Sequence, residues 1–218
     1  MYNLMMKDFK LGLNPLILVL PFVMGALVLI PGWIYFIIPQ YFFWITMPNM
    51  LWSFKVQNDL IFTSLMPVAR KDMVKARVSV IVILEILHIV VAMIYSIITV
   101  HLFPNVTYYF FAPFMGFWGL CFVMLAIFNM FFIPMYYKTA EKSGKAMLAS
   151  IGAALLFSVA VQWLGIQSPI VSDIFNGSGA HNTTLQISIL ITGIAIFIAF
   201  TMIAYRIAVK RFLKVEII

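Results

Sequence analysis

RKDMVKARVSVIVILEILHIVVAMIYSIITVHL, residues 70–102, joins a charged octet to 25 residues that contain one acid, Glu85, and no lysine or arginine. No glycine or proline interrupts it, so one helix is expected from Arg70 through the whole apolar run. The apolar part exceeds the about 20 residues that a helix needs to cross the hydrocarbon of a bilayer. Arg70, Lys71, Lys75 and Arg77 must stay outside it, and such charges mark the cytoplasmic face.

The rest of the chain repeats this arrangement. All 14 lysines and arginines fall in four short segments: Lys7 and Lys10; Lys55 to Arg77; Lys138 to Lys145; and Arg206 to Lys214. The connections near Pro31-Gly32, Asn105-Val106-Thr107 and Gln167 to Thr184 hold no lysine or arginine. The apolar stretches between them give six expected spans, near 13–31, 34–54, 78–102, 109–136, 146–165 and 185–207. Leu11 to Trp52 is too long for one crossing, and Pro31-Gly32 supplies the turn that divides it. The fold class is therefore all-α, a single polytopic membrane domain over 1–218 with both termini cytoplasmic. Residues 1–14 suit an interfacial helix.

Composition agrees. The 218 residues are 64% hydrophobic and 10% charged, with a mean hydropathy of +1.07, beyond what a soluble core absorbs. The formal charge of +7 sits beside the spans, where anionic headgroups and cytoplasmic retention account for it, and nucleic acid is not expected as a partner. Cys121 is the sole cysteine, which excludes an intramolecular disulfide and a thiolate metal cluster. The run before Trp33 lacks a small-residue cleavage site and reads as a retained span rather than a signal peptide. Aromatics from Phe110 to Phe132 crowd the fourth span and are read as lipid and packing contacts.

No phosphate-binding loop is present: Gly144-Lys145 is followed by Ala146 and lacks the earlier glycine, so this chain is not expected to bind ATP or magnesium itself. Ser178 and His181, in Asn176-Gly177-Ser178-Gly179-Ala180-His181, weakly match an intramembrane serine hydrolase, but that chemistry needs serine and base on separate helices within the membrane. Glu85 and His88 lie one turn apart inside the third span. They form either an intramembrane polar pair on a translocation path or a structural pair that staples helices.

Between the second and third spans, residues 55–77 carry Asn58-Asp59-Leu60-Ile61-Phe62-Thr63-Ser64-Leu65-Met66-Pro67-Val68-Ala69-Arg70-Lys71-Asp72. An Asn-Asp start followed by Leu60, Ile61, Leu65 and Met66 predicts a short amphipathic helix, ended by Pro67. Leu65, Pro67, Val68, Arg70, Lys71 and Asp72 match a leucine-proline-valine-serine-arginine-lysine-acidic signature found after the second span of small ABC-2 type transporter permeases. Met66 is an extra residue within it, and Ala69 stands where serine or threonine would cap the next helix.

The chain thus resembles the ABC-2 permease family, in particular small bacterial members such as the membrane subunits of the phenol-soluble modulin exporter. The resemblance implies a multi-pass protein of the bacterial cytoplasmic membrane that pairs with a second permease subunit, as a homodimer or heterodimer. It also implies a separate ATPase docked on the segment that holds Asp59, Phe62, Leu65, Pro67, Arg70, Lys71 and Asp72, and export of a hydrophobic or amphipathic cargo such as a peptide toxin or antimicrobial. ATP and magnesium would bind the partner. The rivals are a proton-coupled efflux carrier using Glu85 and His88, and an intramembrane enzyme using Ser178 and His181.

Overall fold

The structure, a computed structural model, describes residues 2–139, 143–177 and 180–215, and every regular element among them is helical. Helix α1 spans Tyr2–Gly12 and α2 spans Pro15–Gly25, extended by a 3₁₀ turn at Ala26–Leu29. Asn14 accepts a hydrogen bond from the Leu16 N–H and Pro15 takes the first helical position, an arrangement that starts a helix where a missing donor costs nothing. The chain bends by 78° there, so α1 lies nearly crosswise to Pro15–Leu29. The expected turn follows at Gly32, with φ of +76°, which only glycine adopts freely. Tyr35 closes it, accepting from the Gly32 N–H and donating to the Ile30 carbonyl.

A helical run then continues through α3, Ile37–Tyr41, a π-helical turn at Phe42–Thr46, and α4, Met47–Val56. Helix α5 is Asp59–Ser64, and α6, Arg70–Leu102, is the unbroken helix expected from its sequence. Its 33 residues measure about 50 Å, well over the about 30 Å hydrocarbon core, so one end must project from it. The remaining helices are α7, Met115–Lys138; α8, Ser143–Gln167; α9, Pro169–Asn176; and α10, Ala180–Phe212.

Among the described residues, four helices, α6, α7, α8 and α10, are long and apolar enough to cross a membrane, and the bent pair at the N-terminus raises this to five. The run expected as the second span is split at its π turn, and its proline, glutamine and asparagine content dilutes its apolar character. Helix α7, expected as the fourth span, begins at Met115 rather than near 109. Pro113 disfavours helical geometry at Ala112, and residues 103–114 instead fold over the bundle end, where Phe111 fills the space left by Gly165. The stretch 167–184, expected as a loop, contains α9. Ser168-Pro169 is a start signal of the same kind as Asn14-Pro15.

The packing directions alternate. Val28 meets Thr99, and Gly25 lies against Val91 and Tyr95, so α2 runs with α6. Thr46 faces His88 and Phe54 faces Arg77, so the run 37–56 returns antiparallel to it. Trp118 meets Ser96 and Asn129 meets Glu85, which sets α7 antiparallel to α6. Helix α10 runs parallel to α7, from Gln186 beside Gly116 to Phe212 beside Tyr137. The α7 and α10 backbones touch through two glycines: a Cβ on Gly119 would lie 2.6 Å from the Ile189 carbonyl oxygen, and one on Gly193 would lie 2.2 Å from that of Gly119.

Candidate functional site

At the end of the bundle where α6 begins, three elements meet on four charges. Arg77 of α6 donates from Nε to Asp8 Oδ2 of α1 at 2.8 Å, and from Nη2 to Asp59 Oδ2 of α5. Lys7 of α1 reaches Asp59 Oδ1 and the Thr63 hydroxyl, each at 2.5 Å, and lies 3.2 Å from Asp8. The guanidinium carbon of Arg77 stands 3.5 Å from the Phe54 ring centroid, and that ring packs against Gly12. Two cations and two anions cancel in a nearly closed site. Burial alone would raise the Asp59 carboxyl, but the charge of Arg77 and the hydrogen bonds from Lys7 and Thr63 outweigh it and hold the group below its ordinary value.

This cluster turns α5 inside out. Its polar residues Asp59 and Thr63 are 2% and 3% exposed, while Ile61, Phe62 and Leu65 are 51%, 54% and 81% exposed. The helix expected from the sequence is present but ends at Ser64, before Leu65, Met66 and Pro67, and Leu60 packs on the core. Asp59 points into the ion cluster and is not on the outer surface. Pro67 is exposed and lies in the break after α5. Helix α6 then starts at Arg70 without a side-chain cap on Ala69, and Asp72 in its first turn complements the helix dipole. Lys71 is exposed. Arg70 turns towards the end of α10, donating to the Val215 carbonyl at 2.8 Å and the Phe212 carbonyl at 3.5 Å.

The second polar site lies deeper. Asn129 donates to Glu85 Oε2 at 2.9 Å and to the Thr201 hydroxyl at 3.3 Å, which ties α6, α7 and α10 together. Glu85 and Asn129 are fully buried, and Glu85 Oε1 and Asn129 Oδ1 have no hydrogen-bond partner among the described residues. His88 does not join them. Its Nδ1 meets the Leu84 carbonyl at 2.8 Å and so must be the donor there, which leaves Nε2 to the Thr46 hydroxyl at 3.3 Å. The expected Glu85–His88 pairing is thus corrected: both residues connect helices, but through different partners. Ser178 and the side chain of His181 lie outside the described residues.

Sequence reasoning left Lys7, Asp8 and Arg77 as flanking charges and passed over Asn129. Asn129 carried a usable signal, being the only amide in the apolar run from Met115 to Tyr137.

The comparisons agree with this architecture. The family model described as ABC-2 family transporter protein matches residues 3–212, from the first turn of α1 to the end of α10, and the chain belongs to that family. It is accordingly a multi-pass membrane subunit of an ABC transporter, and the family implies an ABC ATPase as partner. No curated protein and no solved structure shows a significant match.

Proposed function

We propose that this chain is the permease subunit of an ATP-driven exporter and that α5, with the turn that follows it, receives a separate ATPase. The observation that carries this reading is the outward apolar face made by Ile61 and Phe62 of the six-residue α5 and by Leu65 directly after it, while the polar face of the helix is bound to Lys7 and Arg77. Such a face is too short to span lipid, and a helix laid in a partner's groove is anchored by residues three and four apart. Movement of α5 would reach α1 and α6 together, because Asp59 is bonded to residues of both.

The directions of α2, the run 37–56, α6, α7 and α10, with α8 leading back from Ser158 beside Gln40 to Gly165 beside Phe111, support six crossings, with both termini and every basic segment on the cytoplasmic side. Two such subunits, alike or different, would enclose the path in a bacterial cytoplasmic membrane. A hydrophobic or amphipathic cargo, including a peptide toxin or antimicrobial, suits walls rich in Phe and Met. ATP and magnesium would be bound by the partner alone.

Replacing Phe62 and Leu65 together with Asp is expected to abolish co-purification of the cognate ATPase and export, at an unchanged level of membrane-inserted protein. Retention of the ATPase with full export would remove α5 from the coupling role. For the topology, Asn105→Cys is expected to react with an impermeant thiol reagent added outside intact cells, and Lys75→Cys only after lysis. The opposite pattern would invert the assigned orientation.

A further inference from the structure

A cavity of about 880 Å³ opens between α4, α5 and the beginning of α8, within the about 300–1,000 Å³ range that takes a small ligand. Its two ends differ in chemistry. Trp44, Pro48, Leu51 and Trp52 of the run 37–56 make one apolar wall, and Met147 and Ile151 of α8 make the other. Trp44 and Trp52 are 45% and 65% exposed, as rings on a bilayer-facing surface are, and so are open to an apolar occupant of the groove.

At the other end stand Lys55, Ser143 and Gly144. The Lys55 ammonium lies 5.8 Å from the Trp52 ring centroid, which keeps it at the mouth. Ser143 and Gly144 open α8, whose first N–H groups have no acceptor within the helix and present its positive end. Among the described residues, nothing lies within 4 Å of a Cβ built on Gly144. Asp59 also borders the cavity, but its oxygens are taken by Lys7, Thr63 and Arg77, and its charge is cancelled there. Among the described residues, the mouth is therefore positive and the wall apolar. From Lys55 to Trp44 the helical run covers about 16 Å, roughly half of the about 30 Å hydrocarbon core, or the depth of one leaflet.

We propose that this groove binds one anionic phospholipid of the leaflet it faces. Lys55 and the first turn of α8 hold the phosphate, and an acyl chain lies along Trp52, Leu51 and Trp44. Since Leu60 and Ile61 of α5 border the same cavity, the lipid fills the space between α5 and α8 and fixes their separation. The site needs only the bilayer, although it shares Ile61 with the face proposed for the ATPase.

The test uses the full chain in mixed micelles, titrated with phosphatidylglycerol or phosphatidylcholine carrying brominated acyl chains, which quench tryptophan on contact. The signal of Trp44 and Trp52 is the difference between the unmodified chain and the Trp44→Phe/Trp52→Phe variant. Phosphatidylglycerol is expected to half-saturate this signal at a concentration about fivefold lower than phosphatidylcholine, the effect of one well-placed cation at a membrane surface. Lys55→Glu should erase that preference, and Lys71→Glu, at an exposed lysine outside the groove, should leave it intact. Equal half-saturation by the two headgroups would overturn the site, as would persistence of the preference in Lys55→Glu, since either means annular contact only. Loss of the preference to the same degree in both charge variants would show general surface attraction and overturn it too. Absence of quenching at Trp44 and Trp52 would show that protein, such as a second copy of this chain, covers the groove instead.

Discussion

Arg77 and Glu85 stand eight residues apart on α6, about 12 Å along its axis, and anchor two polar regions built on opposite terms. Around Arg77 each buried acid has a cation, and the bonds run to two elements that precede the helix, α1 and α5. Around Glu85 no ion pair exists among the described residues, and the bonds run to the two helices α7 and α10 that follow it. The first region joins the peripheral elements into one body that can be moved from outside. The second holds the bundle's interior with polar atoms to spare. A buried ion network is costly to break and gives little net stability, so its value here is in fixing which elements move together.

The comparison breaks hardest at Arg77. Arg77→Met leaves Asp8 and Asp59 facing each other with Lys7 alone, and a buried charge stripped of its partner costs about 3–5 kcal/mol. Thermal unfolding of the purified protein should show a large drop, and adding Asp8→Asn and Asp59→Asn should recover part of it by removing the stranded charge. The network also gives a defined acid sensitivity. Because the Asp59 carboxyl is held below its ordinary value of 3.8, its contribution is whole above that value and is lost as the pH falls through the depressed folded value. A stability profile that is flat through the acid limb, in a chain that keeps its fold, would count against the assigned ion pairs.

At Glu85 the expected effects are smaller and differ in sign. Glu85→Gln keeps the shape, still accepts from Asn129, and adds a donor for the unpartnered Asn129 Oδ1, so its stability should equal or exceed that of the unmodified chain. Glu85→Ala removes the acceptor from Asn129 and opens a cavity, at a cost of about 1–3 kcal/mol. Export that survives Glu85→Gln and fails in Glu85→Ala would assign the residue to packing. Failure in both at full stability would bring back a proton-coupled role.

How much of each region was legible follows from chain distance. The unbroken α6, the Gly32 turn and the uncapped Ala69 are local consequences of residue order and appear where the sequence puts them, while α5 starts as expected and ends at Ser64, short of Pro67. The ion cluster joins Asp8 to a residue 69 positions away, and no periodicity announces such a pairing. For α5, local patterning identified the apolar residues but could not say which face would be buried. That was decided by Arg77, which makes Asp59 worth more inside than Phe62. The late start of α7 was readable from Pro113 but concealed by the apolar run around it, and α9 was readable from Ser168-Pro169 but concealed in a stretch whose polar residues from Asn176 on read as a loop.

The finest division of the comparison lies at Arg70, which begins the same helix as Arg77 but faces a different neighbour. Its guanidinium spans the end of α10, bonding the Phe212 and Val215 carbonyls and lying 6.0 Å from the Phe212 ring centroid. The Phe212 carbonyl also accepts from the Val215 N–H at 3.2 Å, and Val215 lies just past α10, so Arg70 clasps the turn that ends α10 from another helix. It is partly exposed, and screening and side-chain freedom reduce its contribution to about 1 kcal/mol. Arg70→Ala should therefore lower thermal stability only slightly and leave ATPase association intact, since α5 and its exposed face do not depend on it. Hydrogen exchange should rise at the end of α10, from Val209 to Leu213, with no change at Asp59 or Thr63. Faster exchange across α5 as well would mean that the two ends of this surface form one unit, and that the α10 terminus belongs with the ion cluster rather than apart from it.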